Sequence, residues 1–338
     1  MRLFKNAHYD FMGARKWAFL GSSLLIILGL ISLVVRGPKF GVDFAGGTIV
    51  QVKFLKGTVD LAKIRNALGE LNLGEITIQQ IGAKTDNEIL ISMQKTTSSL
   101  EGLSEDIKKA LAKSFPQQEF EIRRVEMVGP KVGADLRTKG LWAMILALGG
   151  ILIYAWWRFD FAFAVGGIAA LIHDVLVTIG AISLTNREFS LTVLAALLTI
   201  IGYSINDTIV IYDRVRENLR LKRGGNTLSE ILNTSVNECL ARTLLTALTT
   251  FFVAISLFLF GGQVINDFAF CMVIGVVTGC YSTIFIASPI ALWVHEKEKA
   301  RAQVATASAS SRMATHGAKT TTSKIAAMDK AQKSAKKG

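Results

Sequence analysis

Cysteine, histidine and charge are all scarce in this chain of 338 residues. It has three cysteines and four histidines, and 19 % of its residues are charged, against roughly 25 % in an ordinary soluble domain. Cys239, Cys271 and Cys280 fall in or beside apolar blocks and none falls in the hydrophilic segment 36–140, which excludes a disulfide framework and a cysteine-based zinc site. That segment also lacks histidine, so its scattered acids have no company with which to do nucleophilic or metal-assisted chemistry. The chain reads as a non-enzyme, with no cofactor and no metal. No small-residue cleavage site follows Val35, so the first apolar run is expected to remain as a helix and not to leave as a signal peptide.

What is abundant is apolar sequence, at 51 %, and it comes in bilayer-sized blocks. Six qualify as membrane spans: Trp17–Val35, Leu141–Trp157, Phe161–Leu184, Phe189–Tyr212, Thr243–Phe260 and Phe268–Val294. The fold class is therefore a polytopic α-helical membrane protein. The net charge of +12 does not read as a nucleic-acid footprint, because from Glu296 onward ten basic residues face three acidic ones, giving +7 in the tail alone. That tail, rich in Ala, Ser, Thr and Lys, has no apolar periodicity and is expected to be disordered. Lys and Arg beside the spans set orientation. Arg2, Lys5, Arg15, Lys16, Arg158, Arg214, Arg216, Arg220, Lys222, Arg223 and the tail fall on one side, and the short loops of the other hold only Arg187. Both termini are thus expected to be cytoplasmic, with 36–140 as one extracytoplasmic domain between spans 1 and 2.

That domain reads as βαββαβ, a ferredoxin-like split unit. TIVQVKF alternates with Val50, Val52 and Phe54 on one face, and Leu61, Ile64, Leu68 and Leu71 recur at helical spacing. EITIQQI and NEILISM are strands on either side of a turn-like KTDN. Ser98 and Glu101 make a capping-box pattern before Leu103, Ile107 and Leu111, and EFEIRRVEMV closes the unit.

A charged group within a span costs several kcal/mol on insertion scales and asks for a reason. His173 and Asp174 lie in the third block, Asp207 in the fourth and Arg242 at the start of the fifth. Asp207, about 7 Å from the cytoplasmic end of its block, and Arg242, entering from that end, are placed to meet. An Asp beside an Arg is drawn toward ionisation by the cation and toward neutrality by desolvation. That makes either a protonatable switch or a static buried pair fixing helix register. Asn206 offers a hydrogen bond across the bundle or simple packing. His173 and Asp174 point about 100° apart on a helix and need not pair; one of them could extend a path toward Asp207. Thr243, Thr246 and Thr250 form a polar stripe beside Arg242, able to order water or to bond their own preceding carbonyls. Gly166, Gly167, Gly202, Gly275 and Gly279 permit close helix approach, and Pro289 is positioned to disturb the last span.

Several strings together resemble the SecF family, the smaller partners of SecD in bacterial protein export: GVDFAGG (Gly41–Gly47), HDVLVTIG at His173, IGYSINDTIVIYDRVREN (Ile201–Asn218), NECLARTLLTALTT from Asn237, and LFGGQVINDFAF followed by YSTIFIASPI. The likeness covers about residues 1–295. It implies half of a resistance-nodulation-division transporter, six spans pairing with six of a SecD-like subunit. It also implies the SecYEG translocon, YajC and YidC as partners, an unfolded preprotein as substrate and protons as the coupling ion. By that resemblance Asp207 and Arg242 correspond to membrane residues tied to proton flow; Asn206, His173, Asp174 and Thr246 join them in the expected proton relay on their positions in the spans. Gly41, Asp43, Gly46 and Gly47 form a junction through which span movement reaches the extracytoplasmic domain. Glu238 and Cys239 depart from the family pattern and receive no role. The rival readings are a small-molecule or lipid exporter of the same superfamily, and an unenergised scaffold; sodium in place of protons stays open.

Overall fold

The computed structural model describes residues 8–55, 60–71, 73–74, 76–81, 87–93, 100–221 and 227–304. In chain order the elements are α1 (Phe11–Arg36), α2 (Val42–Ala45), β1 (Gly47–Phe54), α3 (Leu61–Gly69), β2 (Ile76–Ile81), β3 (Glu88–Met93) and α4 (Leu100–Ser114). There follow β4 (Phe120–Val128), α5 (Pro130–Arg158), α6 (Phe161–Leu184), α7 (Leu191–Leu221), α8 (Leu228–Phe260) and α9 (Gln263–Ser282). A π turn, Thr283–Ala287, continues α9 so that the last apolar helix extends to Val304. Among the described residues six helices are long and apolar enough to cross a membrane: α1, α5, α6, α7, α8 and this last one.

The helices overrun the apolar blocks that announce them. α5 begins at Pro130, well before Leu141, because proline at a first helical position has no N–H to leave unpaired and carries a φ already suited to the helix. The helix of the second span therefore starts inside segment 36–140. α8 begins fifteen residues ahead of Thr243, started by a capping box in which Thr227 accepts from the Glu230 N–H and Glu230 accepts from the Thr227 N–H. α7 continues past Tyr212 to Leu221, on a surface of paired charges described below.

The four strands form one sheet in the order β2-β3-β1-β4, every pair antiparallel. This is the order of a split βαββαβ unit, as the alternation predicts. Val50, Val52 and Phe54 are buried on the face that α3 and α4 cover, with Ile64, Leu68, Leu103, Ile107 and Leu111 opposite them. Leu61 and Leu71 pack at the margin. Of KTDN only Asn87 is described, at φ 49°; the Ser98 and Glu101 box, residues 1–7 and the tail from Ala305 lie outside the described side chains.

Glycines decide which helices touch. A Cβ on Gly275 would sit 2.3 Å from the Ile200 side chain, and one on Gly279 3.2 Å from Ser204, so α9 lies close against α7. A Cβ on Gly166 would lie 2.5 Å from the Ala287 carbonyl oxygen. Gly202, in contrast, faces open space. Gly29 of α1 and Gly180 of α6 meet backbone to backbone, where a Cβ on either residue would come within 3 Å of the other's Cα; Ser32 and Ser183 share a 2.9 Å hydrogen bond one turn on. Pro289 disturbs its helix as expected, through the π turn just before it, where Ser288 Oγ donates to the Thr283 carbonyl at 3.2 Å.

Candidate intramembrane relay site

Asp207 lies sixteen positions beyond Leu191 and fourteen before Leu221, so it sits about 24 Å along a helix of 31 residues, near its middle. Sequence alone puts it closer to an end, because the apolar block stops nine residues before the helix does. The side chain is 5 % exposed. Thr246 Oγ1, across on α8, lies 3.5 Å from Asp207 Oδ1, longer than an ordinary O–H···O bond. The single Thr246 proton also has the carbonyls of Arg242 (3.1 Å) and Thr243 (3.0 Å) within reach. Among the described residues the buried carboxylate thus has one weak hydrogen-bond partner.

Arg242 does not supply the other. It is exposed on α8, and it is no ion pair of Asp207 within 4.0 Å; the two interact only through their charges. The expected direct meeting is corrected accordingly. Common depth does not bring two side chains together when one helix turns its cation outward. Asn206 is also corrected as a cross-bundle hydrogen bonder: it is exposed, next to the open face of Gly202. Thr243 is buried with an unpartnered hydroxyl, while Thr246 bonds its own helix as threonines in spans do.

His173 and Asp174, which their separation of about 100° does not require to pair, do so: His173 Nδ1 lies 3.0 Å from Asp174 Oδ1. Asp174 is fully buried, and its Oδ2 accepts from Ser204 Oγ of α7 at 2.6 Å and from Ser282 Oγ of α9 at 2.8 Å. One carboxylate thereby ties α6, α7 and α9. Thr208 of α7 and Thr283 of the π turn share a further 3.0 Å bond beside it. The hydrogen-bonded chain from His173 through Asp174 therefore reaches Asp207's helix at Ser204, three residues from Asp207. Among the described residues no side-chain hydrogen bond joins Ser204 to Asp207; Thr208 Oγ1 reaches back only to the Ser204 carbonyl, at 3.4 Å. His173 Nε2 is buried without a partner, its ring against Tyr281 at 5.9 Å.

Two further groups were silent in the sequence. On the α7 extension Arg214 donates to Glu238 of α8 at 2.7 Å, and Asn218 donates to the same carboxylate at 2.7 Å and to Ser235 at 2.9 Å. Glu238, left without a role above, thus fastens α7 to α8. Asn233 and Asn237, one turn apart on α8, clip the backbone that leads into α1. Asn233 Oδ1 accepts from the Phe11 and Met12 N–H groups, and Asn237 accepts from the Tyr9 N–H and donates to the Tyr9 carbonyl. The i, i+4 spacing of the two asparagines was the only available signal. Asp10 completes the clip, accepting from Gly13 N–H at 2.9 Å and Asn233 Nδ2 at 2.7 Å. The Gly13 N–H first, and the Asn233 amide next, hold its carboxyl below the usual carboxylate range. A lowered folded pKa contributes stability that is present above the ordinary carboxylate pKa and lost as pH falls through the folded one. The protection of the Gly13 amide against hydrogen exchange, relative to the intrinsic rate at each pH, is expected to hold down to the ordinary carboxylate range and to fall below it in the wild type, with no such acid step in Asp10→Asn.

The junction glycines divide. Gly46 (φ 78°) and Gly47 (φ 151°) hold the unusual backbone expected of them, and a Cβ on Gly46 would meet Pro130 Cα at 2.8 Å. Gly41 is extended at φ −64° and serves instead as a donor, its N–H bonding the Phe189 carbonyl at 2.9 Å. Asp43 Oδ2 accepts from the Leu191 N–H at 3.0 Å.

This arrangement can be set beside known proteins. The family model "Protein export membrane protein SecD/SecF, C-terminal" matches residues 106–297, and "SecD/SecF GG Motif" matches residues 31–54. The chain belongs to the SecD/SecF family. A protein translocase subunit SecF from Calditerrivibrio nitroreducens is 45 % identical over 304 residues, covering 88 % of this chain and 98 % of that one. The SecF subunit of Rickettsia bellii is 42 % identical, covering 86 % and 95 %. The crystal structure of SecDF from Thermus thermophilus, a translocon-associated membrane protein, superposes with a TM-score of 0.73 at 34 % identity over 88 % of this chain. A second SecDF structure, in a super-membrane-facing form, gives 0.67 at 33 % over 90 %. This chain spans 40 % of the first SecDF chain and 41 % of the second. As a member of the SecD/SecF family it is a multi-pass bacterial membrane protein of protein transport, SecF-like over 88 % of the chain, and the GG motif falls on the junction that bonds to α7.

Proposed function

We propose that this chain is the SecF-side half of a proton-driven device that assists late protein translocation through the Sec translocon. It works with a SecD-like subunit of six further spans, in the cytoplasmic membrane with both termini inside. SecYEG, with YajC and YidC as accessory partners, supplies the channel, and an emerging unfolded preprotein is the cargo of the sheet domain on the outer face.

The observation that carries this reading is Asp207: a buried carboxylate at mid-helix with, among the described residues, one weak hydrogen bond, and an exposed arginine on the neighbouring helix. A static pair would be satisfied, as Asp174 is. When ionised, Asp207 attracts Arg242, and the pull strengthens as water leaves the gap. When protonated it exerts no such pull, and α7 and α8 relax to the separation their packing prefers. Each proton crossing thus biases a two-state element. Asn206 and the open face at Gly202 support a partner-facing surface at the same level, and Asp174 with His173 holds α6, α7 and α9 together while the movement occurs.

Reconstitution with a SecD-like subunit and the translocon channel tests the coupling ion. Preprotein export into inverted vesicles is expected to rise with a proton gradient imposed alone and to stay at its basal rate with a sodium gradient alone. The opposite pattern would replace the proton by sodium. Gradient-driven efflux of a dye or lipid without any effect on export would favour the exporter reading.

A further inference from the structure

We infer that Asp43 is a positioning residue that latches the sheet domain onto the helix carrying Asp207, by capping the N-terminus of α7 with its carboxylate. This rests on the reading of Asp207 given above and adds the route by which its movement leaves the membrane.

The first four N–H groups of any helix lack intrahelical partners, and the positive end of the helix dipole favours an anion there. α7 already has a local cap, since Ser190 Oγ accepts from the Val193 N–H at 3.3 Å. The Leu191 N–H goes instead to a carboxylate 148 residues away in sequence, at 3.0 Å. A charged acceptor makes the stronger kind of hydrogen bond, and nothing about closing α7 required it to come from α2.

The surrounding contacts turn one bond into a joint. The chain just before Asp43 adds a short parallel pairing to the loop just before Leu191: Gly41 N–H to the Phe189 carbonyl at 2.9 Å, and Phe189 N–H to the Lys39 carbonyl at 2.7 Å. Phe40 packs against both Phe44 and Phe189. From the sheet itself Thr77 Oγ1 of β2 donates to Glu188 Oε1 at 2.6 Å. On the other side of α2, Gly133 approaches so closely that a Cβ would lie 2.8 Å from the Phe44 carbonyl oxygen, and Gly47 opens β1 directly after it. The four-residue α2 is therefore held between the start of α7, the start of α5 and the central strand β1. Rotation or axial travel of α7 acts on β1 through Asp43 without passing through α1.

Two substitutions remove the bond from opposite sides. Asp43→Ala deletes the acceptor. Leu191→Pro deletes the donor, and proline at a first helical position is well tolerated, as at Pro130 here, so α7 keeps its length. Asp43→Asn keeps an acceptor oxygen and serves as the rescue. Each variant, with the SecD-like subunit, is reconstituted in proteoliposomes with a spectroscopic label on the exposed Lys109 of α4. The readouts are gradient-induced movement of the label and gradient-stimulated export, measured together with thermal stability. Asp43→Ala and Leu191→Pro are expected to melt like the wild type and to lose label movement by at least about fivefold, the lower edge of ordinary coupling between sites. Asp43→Asn should retain most of it. Full movement of the label in either donor or acceptor deletion overturns the latch; should Asp43→Ala not fold, Leu191→Pro decides the matter alone. Asp207→Asn is run alongside. If it also leaves movement intact, the relay reading falls. If it abolishes movement while the latch variants do not, the relay stands and the latch is wrong.

Discussion

Asp207→Asn is expected to insert and assemble normally and to export preprotein at the rate seen without a gradient, whatever gradient is imposed. Asn has nearly the same shape and can take the same weak bond from Thr246, but it cannot change charge. The distances separate this outcome from a merely structural role. Breaking a buried ion pair leaves an uncompensated charge and costs about 3–5 kcal/mol. Asp207 is in no such pair, so its replacement removes a poorly compensated buried charge, and the thermal stability of the variant should equal or exceed that of the wild type. Unchanged stability with loss of gradient stimulation supports the relay. Wild-type stimulation in the variant would dispose of it, and a large fall in melting temperature would mark Asp207 as a packing element.

Gly180→Val carries the largest expected effect on assembly. A Cβ at Gly180 would stand 2.9 Å from Gly29 Cα, and backbone, unlike the end of a flexible side chain, cannot swing aside. α1 must then move away from α6 and surrender the Ser32–Ser183 bond. Overpacking of this kind costs typically about 1–3 kcal/mol, occasionally more, and a marginal membrane bundle has little to spare. Purified yield and melting temperature in detergent should fall sharply. Gly149→Val, on a helix face with nothing within 4 Å, should leave both unchanged. Equal tolerance at the two positions would show that α1 is not held at this crossing.

The spans were legible because an apolar run about as long as a bilayer is thick has few other uses, and the sheet because Val50, Val52 and Phe54 alternate while Ile64 and Leu68 recur at helical spacing. The ends of the helices were not. Hydropathy stops where a helix leaves the apolar layer, whereas the helix stops where its backbone loses partners, and Pro130, Thr227 and the Arg214–Glu238 pair carry the backbone well beyond. The ionisable residues were conspicuous because each is costly in a span. Their partners were hidden for the opposite reason: Ser204, Ser282, Thr208 and Thr283 belong to residue types common in membrane helices, where most bond their own carbonyls. Side-chain direction is set by helix rotation, and a single sequence fixes rotation only where one face is strongly apolar. Helices apolar on nearly every side leave it open, which is why Asp207 and Arg242 could be matched in depth but not in direction. Asp43 was singled out with its glycines as part of a pliable junction; that it caps a helix so distant in sequence is a fact of tertiary packing alone.

The fastening of α7 to α8 at Arg214 and Glu238 fixes a fulcrum. From there Asp207 lies seven residues away, about 10 Å, and Leu191 lies twenty-three residues away, about 35 Å, on the same stiff rod. With α8 itself moored to the entry of α1 by Asn233 and Asn237, α7 has little freedom to slide past it and more to swing. Leverage follows from the lengths: a sideways shift of about an ångström at Asp207, the scale on which a carboxylate and a guanidinium gain or lose contact, becomes roughly three at Leu191, where Asp43 is attached.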